Sequence, residues 1–481
     1  IKKALSQNKS VLILVPEISL TPQLIARFEL AFPRQICVVH SKMSYGERYD
    51  SWKSILNGQK KIVLGVRTAL FSPLTNLGLI IVDEEHEQTY KQESPSPRYQ
   101  ARDSAIIRAK IENSVIILGS ATPSVESYYN AITGKYKLIN ISNRADNAQL
   151  PKITTVDMKE ARQKNLIHGP LSKFLLDKIE DRLQKKEGII IFINRRGFSS
   201  LIQCKDCGYV PECNHCSVSL TYHKADNSLK CHYCGSSYSK TEICNECGSS
   251  NFGEIGFGTQ RIEDDLLEYF KNKKINLNIQ RIDQDSASRK GKLKNILSDF
   301  NQSKIDILVG TQMVAKGLDF PRVTLVGIIN PDLQMFVPDF RAFERTFQLI
   351  TQVSGRAGRT AEKPGEVIIQ TSRPMNPAIL PAIKSDFKMF YEQEIETRKK
   401  ANYPPFSRFC LIEFLGKNFE NVKAHAKYFK KILPLNTDFL EILGPSEPSI
   451  FKIRNKYRIC LLYTSDAADD LLCVDLGGRR I

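Results

Sequence analysis

The sequence lacks a long apolar run, a secretory leader and internal repeats. No stretch approaches the ~20 consecutive apolar residues that a membrane-spanning helix needs, so no membrane partner is expected. The chain begins at Ile1 without an initiator Met and without a basic segment leading into an apolar one, which predicts a fragment with no secretory signal. The missing apolar run favours a soluble protein, and the spacing of the cysteines, described below, favours a reducing cytoplasm.

Charge and length are the informative bulk properties. The 481 residues include 69 Lys and Arg against 52 Asp and Glu, a formal net charge of +17. Lys and Arg that neutralise phosphates gain from counterion release, so this excess favours a polyanionic partner, although basic surfaces also occur without one. Single hydrophobic cores stop growing near ~250–300 residues, so we expect three or four structural units.

Short apolar runs alternate with polar, helix-permitting stretches in two parts of the chain. Runs that are apolar throughout are typical of parallel strands covered by helices on both faces. The pattern therefore predicts an α/β fold with two lobes, each built on a parallel sheet. The runs are residues 11–15, 36–39, 62–66, 79–82 and 115–118 in the first part, and 188–194, 305–310, 323–329 and 366–370 in the second.

Changes in this pattern also predict the domain boundaries. A cysteine-rich segment interrupts the second lobe, and a charged helical stretch followed by a strand indicates a separate small domain after it. The predicted units are the first lobe (1–141), a polar connector (142–170), the second lobe (171–203 and 251–374), the cysteine-rich insertion (204–250) and an α+β C-terminal domain (375–459).

Eight of the twelve cysteines fall in the insertion as four Cys-x-x-Cys pairs. This spacing is typical of metal ligation in a reducing compartment rather than of a disulfide framework. Tetrahedral Zn²⁺ takes two such pairs, so two zinc ions are predicted, with an iron–sulfur cluster as the main alternative. Spacing leaves both sequential and nested pairing open. The pairs are Cys204/Cys207, Cys213/Cys216, Cys231/Cys234 and Cys244/Cys247.

Acidic residues follow the run 79–82 directly, at a strand end where open α/β sheets bind ligands. In a nucleotide hydrolase the first acid holds Mg²⁺ and the second orients or deprotonates the attacking water, roles that we assign to Asp83 and Glu84. Glu85 and His86 complete the motif as coupling residues. The alternative is a solvated acidic loop.

Small hydroxyl residues follow the next run, 115–118. Ser120 and Thr122 suit a relay that senses the γ-phosphate of ATP, although a capped strand-to-helix turn would look similar. Their position one strand beyond the acids favours an ATP-driven motor.

Two arginines close the second lobe's motifs. Arg356 and Arg359 are three residues apart, which predicts one helix face from which both guanidinium groups reach a phosphate, as in an arginine finger. The alternative is a solvated basic helix end, which explains neither the Gly spacing nor the preceding Gln352.

The order of these motifs resembles the superfamily-2 helicases and, within them, the primosomal protein N′ (PriA) family. The resemblance runs collinearly from about residue 8 to about residue 458, and unrelated helicases lack the cysteine insertion. It is carried by residues 14–21, 65–71, 83–103, 194–198, the eight cysteines, 310–321 and 352–359.

The resemblance implies a monomeric, ATP-dependent 3′→5′ DNA helicase with two RecA-like lobes that close on ATP and Mg²⁺. Its implied substrates are stalled or recombination-derived forks, D-loop-like and single-stranded DNA. Its implied partners are primosome proteins and the single-stranded-DNA-binding protein, for replication restart. It also implies nested zinc pairing, with the second and third cysteine pairs inside the first and fourth.

Further site residues come from the matching motifs. Gly317 is expected to couple nucleotide to motion. The expected DNA contacts are basic, aromatic or hydroxyl residues, namely Arg67, Thr68, Tyr90, Lys91, Arg98, Tyr99, Arg102, Arg195, Arg196, Thr311 and Lys316.

Both ends depart from the family pattern. No Gly-rich loop ending in Gly-Lys-Ser/Thr occurs, so that phosphate-binding element is expected upstream of Ile1 and the fragment alone is expected to be inactive as an ATPase. Residues 460–481 match nothing in the family and are predicted to be a non-native tail that packs against nothing.

Overall fold

The computed structural model describes most of the chain. None of its described helices combines the length and apolarity needed to cross a membrane. The described residues are 1–16, 21–41, 43–141, 150–193, 201–204, 206–223, 227–231, 233–240, 243–255, 259–282, 292–315, 320–337, 339–358, 364–433 and 440–466.

The first lobe is a five-stranded parallel sheet, as the apolar runs predicted. Its order, β2-β3-β1-β4-β5, places the strand that carries the acidic motif next to the strand that precedes the hydroxyl motif. One edge strand, β5, leaves Val115 and Ile117 exposed. The strands are β1 (Ser10–Leu14), β2 (Ile36–Val39), β3 (Ile62–Gly65), β4 (Leu77–Asp83) and β5 (Val115–Gly119).

Three of the described helices of the first lobe, α2, α3 and α5, begin at side-chain caps. The Ser44 hydroxyl accepts from the Glu47 N–H while the Glu47 carboxylate accepts from the Ser44 N–H, and Ser124 caps the last helix through the Ser127 N–H. The helices are α1 (Lys2–Ser6), α2 (Pro22–Ala31), α3 (Tyr45–Leu56), α4 (Ala101–Ile111) and α5 (Val125–Ile132).

The second lobe is a six-stranded parallel sheet with the order β15-β16-β9-β17-β18-β6. Apolar side chains cover both of its faces in two large clusters. The strands are β6 (Lys152–Asp157), β9 (Gly188–Ile193), β15 (Ile279–Ile282), β16 (Ile307–Gly310), β17 (Val323–Ile329) and β18 (Glu366–Thr371). A short hairpin, β7 (Ile167–His168) and β8 (Leu171–Ser172), precedes β9.

The predicted connector over 142–170 needs correction. Residues 142–149 lie outside the described part, but β6 pairs with β18 as an edge strand of the second sheet. Because an edge strand is only partly covered, Lys152–Asp157 carries polar residues and lacks the continuous apolar run that marks the central strands.

Helices flank this sheet and continue into the C-terminal region. They are α6 (Met158–Gln163), α7 (Lys173–Gln184), α8 (Thr259–Asn272), α9 (Lys292–Asn301), α10 (Gln312–Ala315), α11 (Ala342–Ser354), α12 (Ile379–Ile383) and α13 (Phe387–Lys400). The 3₁₀ turns among the described residues are Arg67–Phe71, Gln88–Tyr90 and Pro331–Phe336.

The cysteine-rich insertion leaves and re-enters the second lobe through one antiparallel pair, β10 with β14. Between them lies a three-stranded antiparallel sheet, β11-β12-β13. The strands are β10 (Leu201–Cys204), β11 (Thr221–His223), β12 (Ser228–Lys230), β13 (Ser237–Ser239) and β14 (Phe252–Ile255). We call residues 201–255 the zinc module.

The C-terminal domain is α+β, as predicted. Its antiparallel sheet has the order β19-β22-β20, with β21 paired to β22. The elements are β19 (Ser407–Gly416), α14 (Phe419–Ile432), β20 (Leu440–Ser446), β21 (Lys452–Ile453) and β22 (Lys456–Asp466).

The predicted tail boundary at residue 460 also needs correction. Strand β22 continues to Asp466 between β19 and β20, and Leu461 is fully buried. Residues 460–466 therefore pack in the centre of this sheet rather than against nothing. The rest of the predicted tail, residues 467–481, lies outside the described part.

Candidate functional site

The acidic motif sits at the carboxyl end of β4. Asp83 is exposed there, and Glu84 adopts a left-handed backbone conformation (φ 47°) that is uncommon for residues other than Gly. The Tyr90 hydroxyl donates to the carbonyls of Leu14 (3.0 Å) and Asp83 (2.6 Å), which ties the ends of β1 and β4 together. The Asp83 side chain is thus accessible to a ligand, while the Tyr90 hydrogen bonds hold the backbone at the end of β4 in place.

Glu85 has the opposite environment because it is buried. Its carboxylate accepts from the Ser124 N–H (2.6 Å), the Ser127 hydroxyl (2.8 Å) and the Arg102 guanidinium (2.9 Å). These bonds join the acidic motif to α4 and α5. Arg102 was expected to contact DNA. In the structure its guanidinium group forms salt bridges with Glu85 and Asp103 inside the first lobe.

His86 connects the two lobes. Its Nδ1 lies 2.7 Å from the Ser120 hydroxyl, and its Nε2 lies 2.7 Å from the side-chain amide of Gln352 on α11. The Ser120 hydroxyl also accepts from the Thr122 N–H (3.0 Å). The structure thus brings together four residues predicted from three separate motifs.

One face of α11 makes further interlobe contacts that the sequence analysis missed. The Glu344 carboxylate accepts from the Val125 N–H (2.9 Å), and the Gln348 amide donates to the Thr122 carbonyl (3.4 Å). Glu344, Gln348 and Gln352 are spaced four apart and so lie along one helix face. The available signal was this polar line on a helix whose other positions are largely apolar.

A buried charge cluster extends the interlobe contact to α13. Arg398, 1% exposed, bonds to Glu344 (2.7 Å) and Glu394 (2.9 Å) and lies 3.4 Å from Glu126 of α5. Arg341 bonds to Glu126 as well (2.6 Å). We call these five residues the interlobe charge cluster. None was predicted, because each is an ordinary charged residue in sequence.

The electrostatics of this cluster follow from burial and pairing. Burial opposes the charged form of Glu126, but the nearby charges of Arg341 and Arg398 outweigh it and lower the pKa to about 2. The pKa of Glu344 is raised, by burial first and by the Glu126 charge second. The cluster therefore holds Glu126 ionised while disfavouring a second full negative charge at Glu344.

The arginine motif departs from its predicted geometry. Helix α11 ends at Ser354 with Gly355 as its C-cap, so Arg356 lies in the following turn and not on a helix face. The Arg356 N–H donates to the Val353 carbonyl (3.0 Å). Gly358 has positive φ, and its N–H donates to the Val323 carbonyl, which bends the chain back to the sheet. Arg359 lies outside the described residues.

Arg67 and Thr68 lie in the 3₁₀ turn after β3. The Arg67 guanidinium donates to the Thr89 carbonyl (3.2 Å), and both residues line a pocket at the strand ends with Val15, Ser41 and Tyr90. The chain can pass close to β2 just before this turn because residue 65 is a glycine. A Cβ at Gly65 would lie 2.4 Å from the Val39 carbonyl oxygen.

Tyr90 and Tyr99 differ from the prediction that they stack on bases. Tyr90 is 1% exposed and Tyr99 is 9% exposed, with its ring packed edge-on against Phe71. Lys91 and Arg98, in contrast, are exposed. Thr311 is half-buried after β16. Arg195, Arg196, Lys316 and Gly317 lie outside the described residues.

The eight paired cysteines form two clusters in the nested arrangement. Within each cluster the sulfur atoms lie within 4.8 Å of one another. The outer cluster is Cys204, Cys207, Cys244 and Cys247, and the inner cluster is Cys213, Cys216, Cys231 and Cys234.

The geometry of both clusters fits zinc. The sulfur atoms of Cys204 and Cys247 are 3.6 Å apart, as are those of Cys213 and Cys234. A tetrahedron with Zn–S bonds of ~2.3 Å has edges of ~3.8 Å, close to these separations. Three cysteine turns repeat one conformation, in which a positive-φ glycine donates its N–H to the first cysteine's carbonyl at 2.9 Å. These glycines are Gly208, Gly235 and Gly248.

The two clusters differ in exposure. In the outer cluster Cys207 and Cys247 are exposed, whereas the inner cluster is mainly buried and belongs to an apolar core. His215 lies beside the inner cluster, but its ring faces Asn455 (3.1 Å between Nδ1 and Nδ2).

Four protein-family models match the chain. They are the DEAD/DEAH box helicase (residues 1–131), the helicase conserved C-terminal domain (249–361), the PriA DNA helicase Cys-rich region domain (213–237) and the primosomal protein N C-terminal domain (399–473). The last match extends beyond residue 460, which also argues against the predicted tail boundary.

Curated relatives match nearly the whole chain. The replication restart protein PriA of Bacillus subtilis is 44% identical over 462 residues, which cover 95% of this chain and 56% of that protein. The Chlamydia muridarum protein of the same name is 42% identical, covering 95% of the chain and 60% of the relative. The Rickettsia felis protein of the same name is 39% identical, covering 96% of the chain and 70% of the relative.

The chain spans between about half and two thirds of the length of the first two of these relatives. The match nevertheless combines both helicase lobes, the cysteine-rich region and the C-terminal domain in one order. The chain belongs to the PriA family of replication restart helicases.

Proposed function

We propose that this chain forms the motor and zinc module of an ATP-dependent 3′→5′ DNA helicase that acts on stalled or recombination-derived forks and starts primosome assembly. The observation that carries the proposal is the His86 bridge, which links the acidic motif to Ser120 and, across the lobes, to Gln352. A residue that contacts both lobes at the acidic motif couples the state of the nucleotide to lobe closure.

The proposed reaction is hydrolysis of ATP, with Mg²⁺ bound to its phosphates. Asp83, exposed at the strand end, holds the Mg²⁺, and Glu84 takes the proton of the water that attacks the γ-phosphorus as the bond to ADP breaks. Arg356 and Arg359 stabilise the charge on the phosphoryl group. Glu85, with its carboxylate fully engaged by Ser124, Ser127 and Arg102, is left to a positioning role.

The zinc module serves first as a staple. Two Zn²⁺ ions hold a segment with a small apolar core, and each can contribute on the order of 10 kcal/mol to folding of its site. Reduced thiolates require a reducing compartment, which favours the cytoplasm. Primosome proteins and the single-stranded-DNA-binding protein are the proposed partners, and the proposed working form is a monomer.

The test of the motor is DNA-stimulated ATPase activity of the uninterrupted gene product from the source locus, with and without Glu84→Gln. We expect the variant to lose at least ~100-fold in kcat, since proton transfer of this kind contributes about 10²–10⁴-fold. Glu29→Gln is the matched control, because it makes the same change at an exposed residue of α2, outside the acidic motif. Equal rates for wild type and Glu84→Gln would contradict the assignment of Glu84.

The test of the substrate is binding of this chain to forked, single-stranded and blunt duplex DNA by fluorescence anisotropy. We expect preference for the fork and a steep loss of affinity with salt. Binding without ATPase activity in the uninterrupted gene product would favour a non-hydrolysing nucleic-acid-binding zinc protein instead.

A further inference from the structure

The turn between β21 and β22 docks on the inner cysteine cluster. Arg454 and Asn455 form this two-residue turn with φ of 50° and 59°. Positive φ at both central residues is the conformation that matches the twist of paired strands. Arg costs about 1–2 kcal/mol in this region of φ,ψ space, so favourable contacts at the turn must offset that cost.

The backbone of the turn supplies those contacts. The Arg454 N–H donates to the Cys216 sulfur (3.3 Å), and the Asn455 N–H donates to the His215 carbonyl (2.8 Å). Beside them the Lys452 N–H donates to the Ser217 hydroxyl (2.9 Å), and the Ser217 N–H donates to the Lys452 carbonyl (3.0 Å). The hairpin thus bonds to three consecutive residues that include one cysteine of the inner cluster.

Side chains complete the interface. Ile453 packs against the apolar core that contains Cys213, Cys216 and Cys231. The Arg454 guanidinium donates to the Tyr233 carbonyl (3.1 Å) in the second cysteine turn of the same cluster. The hairpin therefore contacts both halves of the inner cluster.

The chemistry of a tetrathiolate zinc site gives these contacts a role. Four thiolates around one Zn²⁺ leave a net negative charge, which hydrogen-bond donors to sulfur and a nearby cation stabilise. In the outer cluster the backbone donors to Cys204 come from Asp206 and Cys207 in its own turn. The inner cluster takes donors of the same kind, such as the His215 N–H to the Cys213 sulfur (3.4 Å). In addition it takes the Arg454 N–H from a different domain.

We propose that the C-terminal domain supplies part of the outer coordination shell of the inner zinc site, through the Arg454 N–H and the Ile453 side chain. Metal binding at the inner site and docking of the hairpin then stabilise each other, because coupling between two binding equilibria is reciprocal. Among the described residues, the hairpin of the C-terminal domain thus contacts the zinc module at its inner cluster.

The forward test measures hydrogen exchange in the zinc-loaded chain and in two matched variants. Cys231→Ser and Cys244→Ser each remove one buried ligand, from the inner and the outer cluster respectively. We expect Cys231→Ser to speed exchange of amides 452–458 by about tenfold or more, and Cys244→Ser to leave them near wild type. Equal exchange of these amides in both variants would overturn the proposal.

The reverse test follows release of zinc to a chromogenic chelator. We expect Ile453→Asp to speed release of one of the two ions by about tenfold, since loss of outer-shell partners typically costs 10–100-fold in metal affinity. Lys456→Ala, which changes an exposed side chain of the same hairpin, is the control and should match wild type. Arg454→Gly keeps the backbone N–H donor and suits the positive φ. Its rate of zinc release should therefore lie closer to the wild-type rate than that of Ile453→Asp.

Protection of amides 407–416 in β19 shows whether Ile453→Asp leaves the C-terminal domain folded. If it does, unchanged release of both ions would overturn the proposal. If that protection is lost, the comparison of Cys231→Ser with Cys244→Ser decides the matter alone.

Discussion

Two of the contacts between separate parts of this chain use different chemistry. The interlobe charge cluster is built from side chains, with Arg398 buried among three carboxylates. The hairpin contact on the zinc module is built from backbone N–H groups, one sulfur atom and one apolar side chain. The stability of the first contact depends on the balance of buried charges. The stability of the second depends on the zinc ion that the inner cysteine cluster binds.

This difference in chemistry determines which kind of change disrupts each contact. Removal of one partner from a buried ion pair leaves an uncompensated charge in a low-dielectric environment, which costs more than the pair itself contributes. A contact made by backbone N–H groups leaves no buried, unpaired side-chain charge when one side chain is replaced. It persists as long as the cysteine turns keep their shape, and they keep it because zinc holds them.

The largest expected effect comes from metal removal, which should undo the zinc contact and spare the interlobe contact. With a chelator in excess, we expect amides of residues 201–255 and 452–458 to lose protection, because each zinc contributes on the order of 10 kcal/mol to its site. The outer ion should leave first, since Cys207 and Cys247 are exposed. Hydrogen exchange followed over time measures both outcomes. Simultaneous loss of protection in residues 124–132 would show that the interlobe contact also depends on zinc, contrary to this prediction.

A smaller effect is expected from Arg398→Met, which should undo the interlobe contact and spare the zinc module. Glu344 and Glu394 then remain buried without their cation, which should lower the free energy of unfolding by about 3–5 kcal/mol. Chemical denaturation measures the change, and the zinc content should stay at its wild-type value. Lys400→Met, which breaks an exposed pair on the same helix, should cost less than ~1 kcal/mol.

The smallest expected effect is a pH dependence of the interlobe contact. The pKa of Glu126 is lowered from 4.5 to about 2 in the folded protein, so its stabilising contribution is fully present above about pH 4.5 and is lost as the pH falls toward 2. Glu126→Gln should remove this part of the acid sensitivity. Denaturation curves between those pH values compare the two proteins, and identical slopes would mean that Glu126 is not the titrating group.

Much of the fold could be predicted because it is encoded in local pattern. The central strands of both sheets are built around apolar residues, and their predicted bounds agree with the structure within a few residues. The two edge strands of the second sheet, β6 (Lys152–Asp157) and β15 (Ile279–Ile282), were not predicted because each mixes polar with apolar residues. Tyr90 and Tyr99 were misread for a related reason, since an aromatic residue in a loop motif gives no sign of whether it faces solvent or core.

The candidate site divides in the same way. The acids, the hydroxyl pair, Gln352 and the eight cysteines could be found because each stands in a motif of fixed spacing. The polar line on α11 and the interlobe charge cluster could not, because most of their partners are at least 54 residues away in sequence. A single Arg or Glu in a helix carries no information about a partner at that distance.

By itself the sequence determined the parallel sheets, the placement of the acidic motif at a strand end and the presence of two sets of four thiolates. Those features depend on local alternation, on turn-forming glycines and on ligand spacing. Only the tertiary structure decided that Glu85 faces inward, that Arg398 joins three carboxylates and that the hairpin of the C-terminal domain reaches Cys216. Each of these is a contact between distant segments, and such contacts form only once the packed domains fix their relative positions.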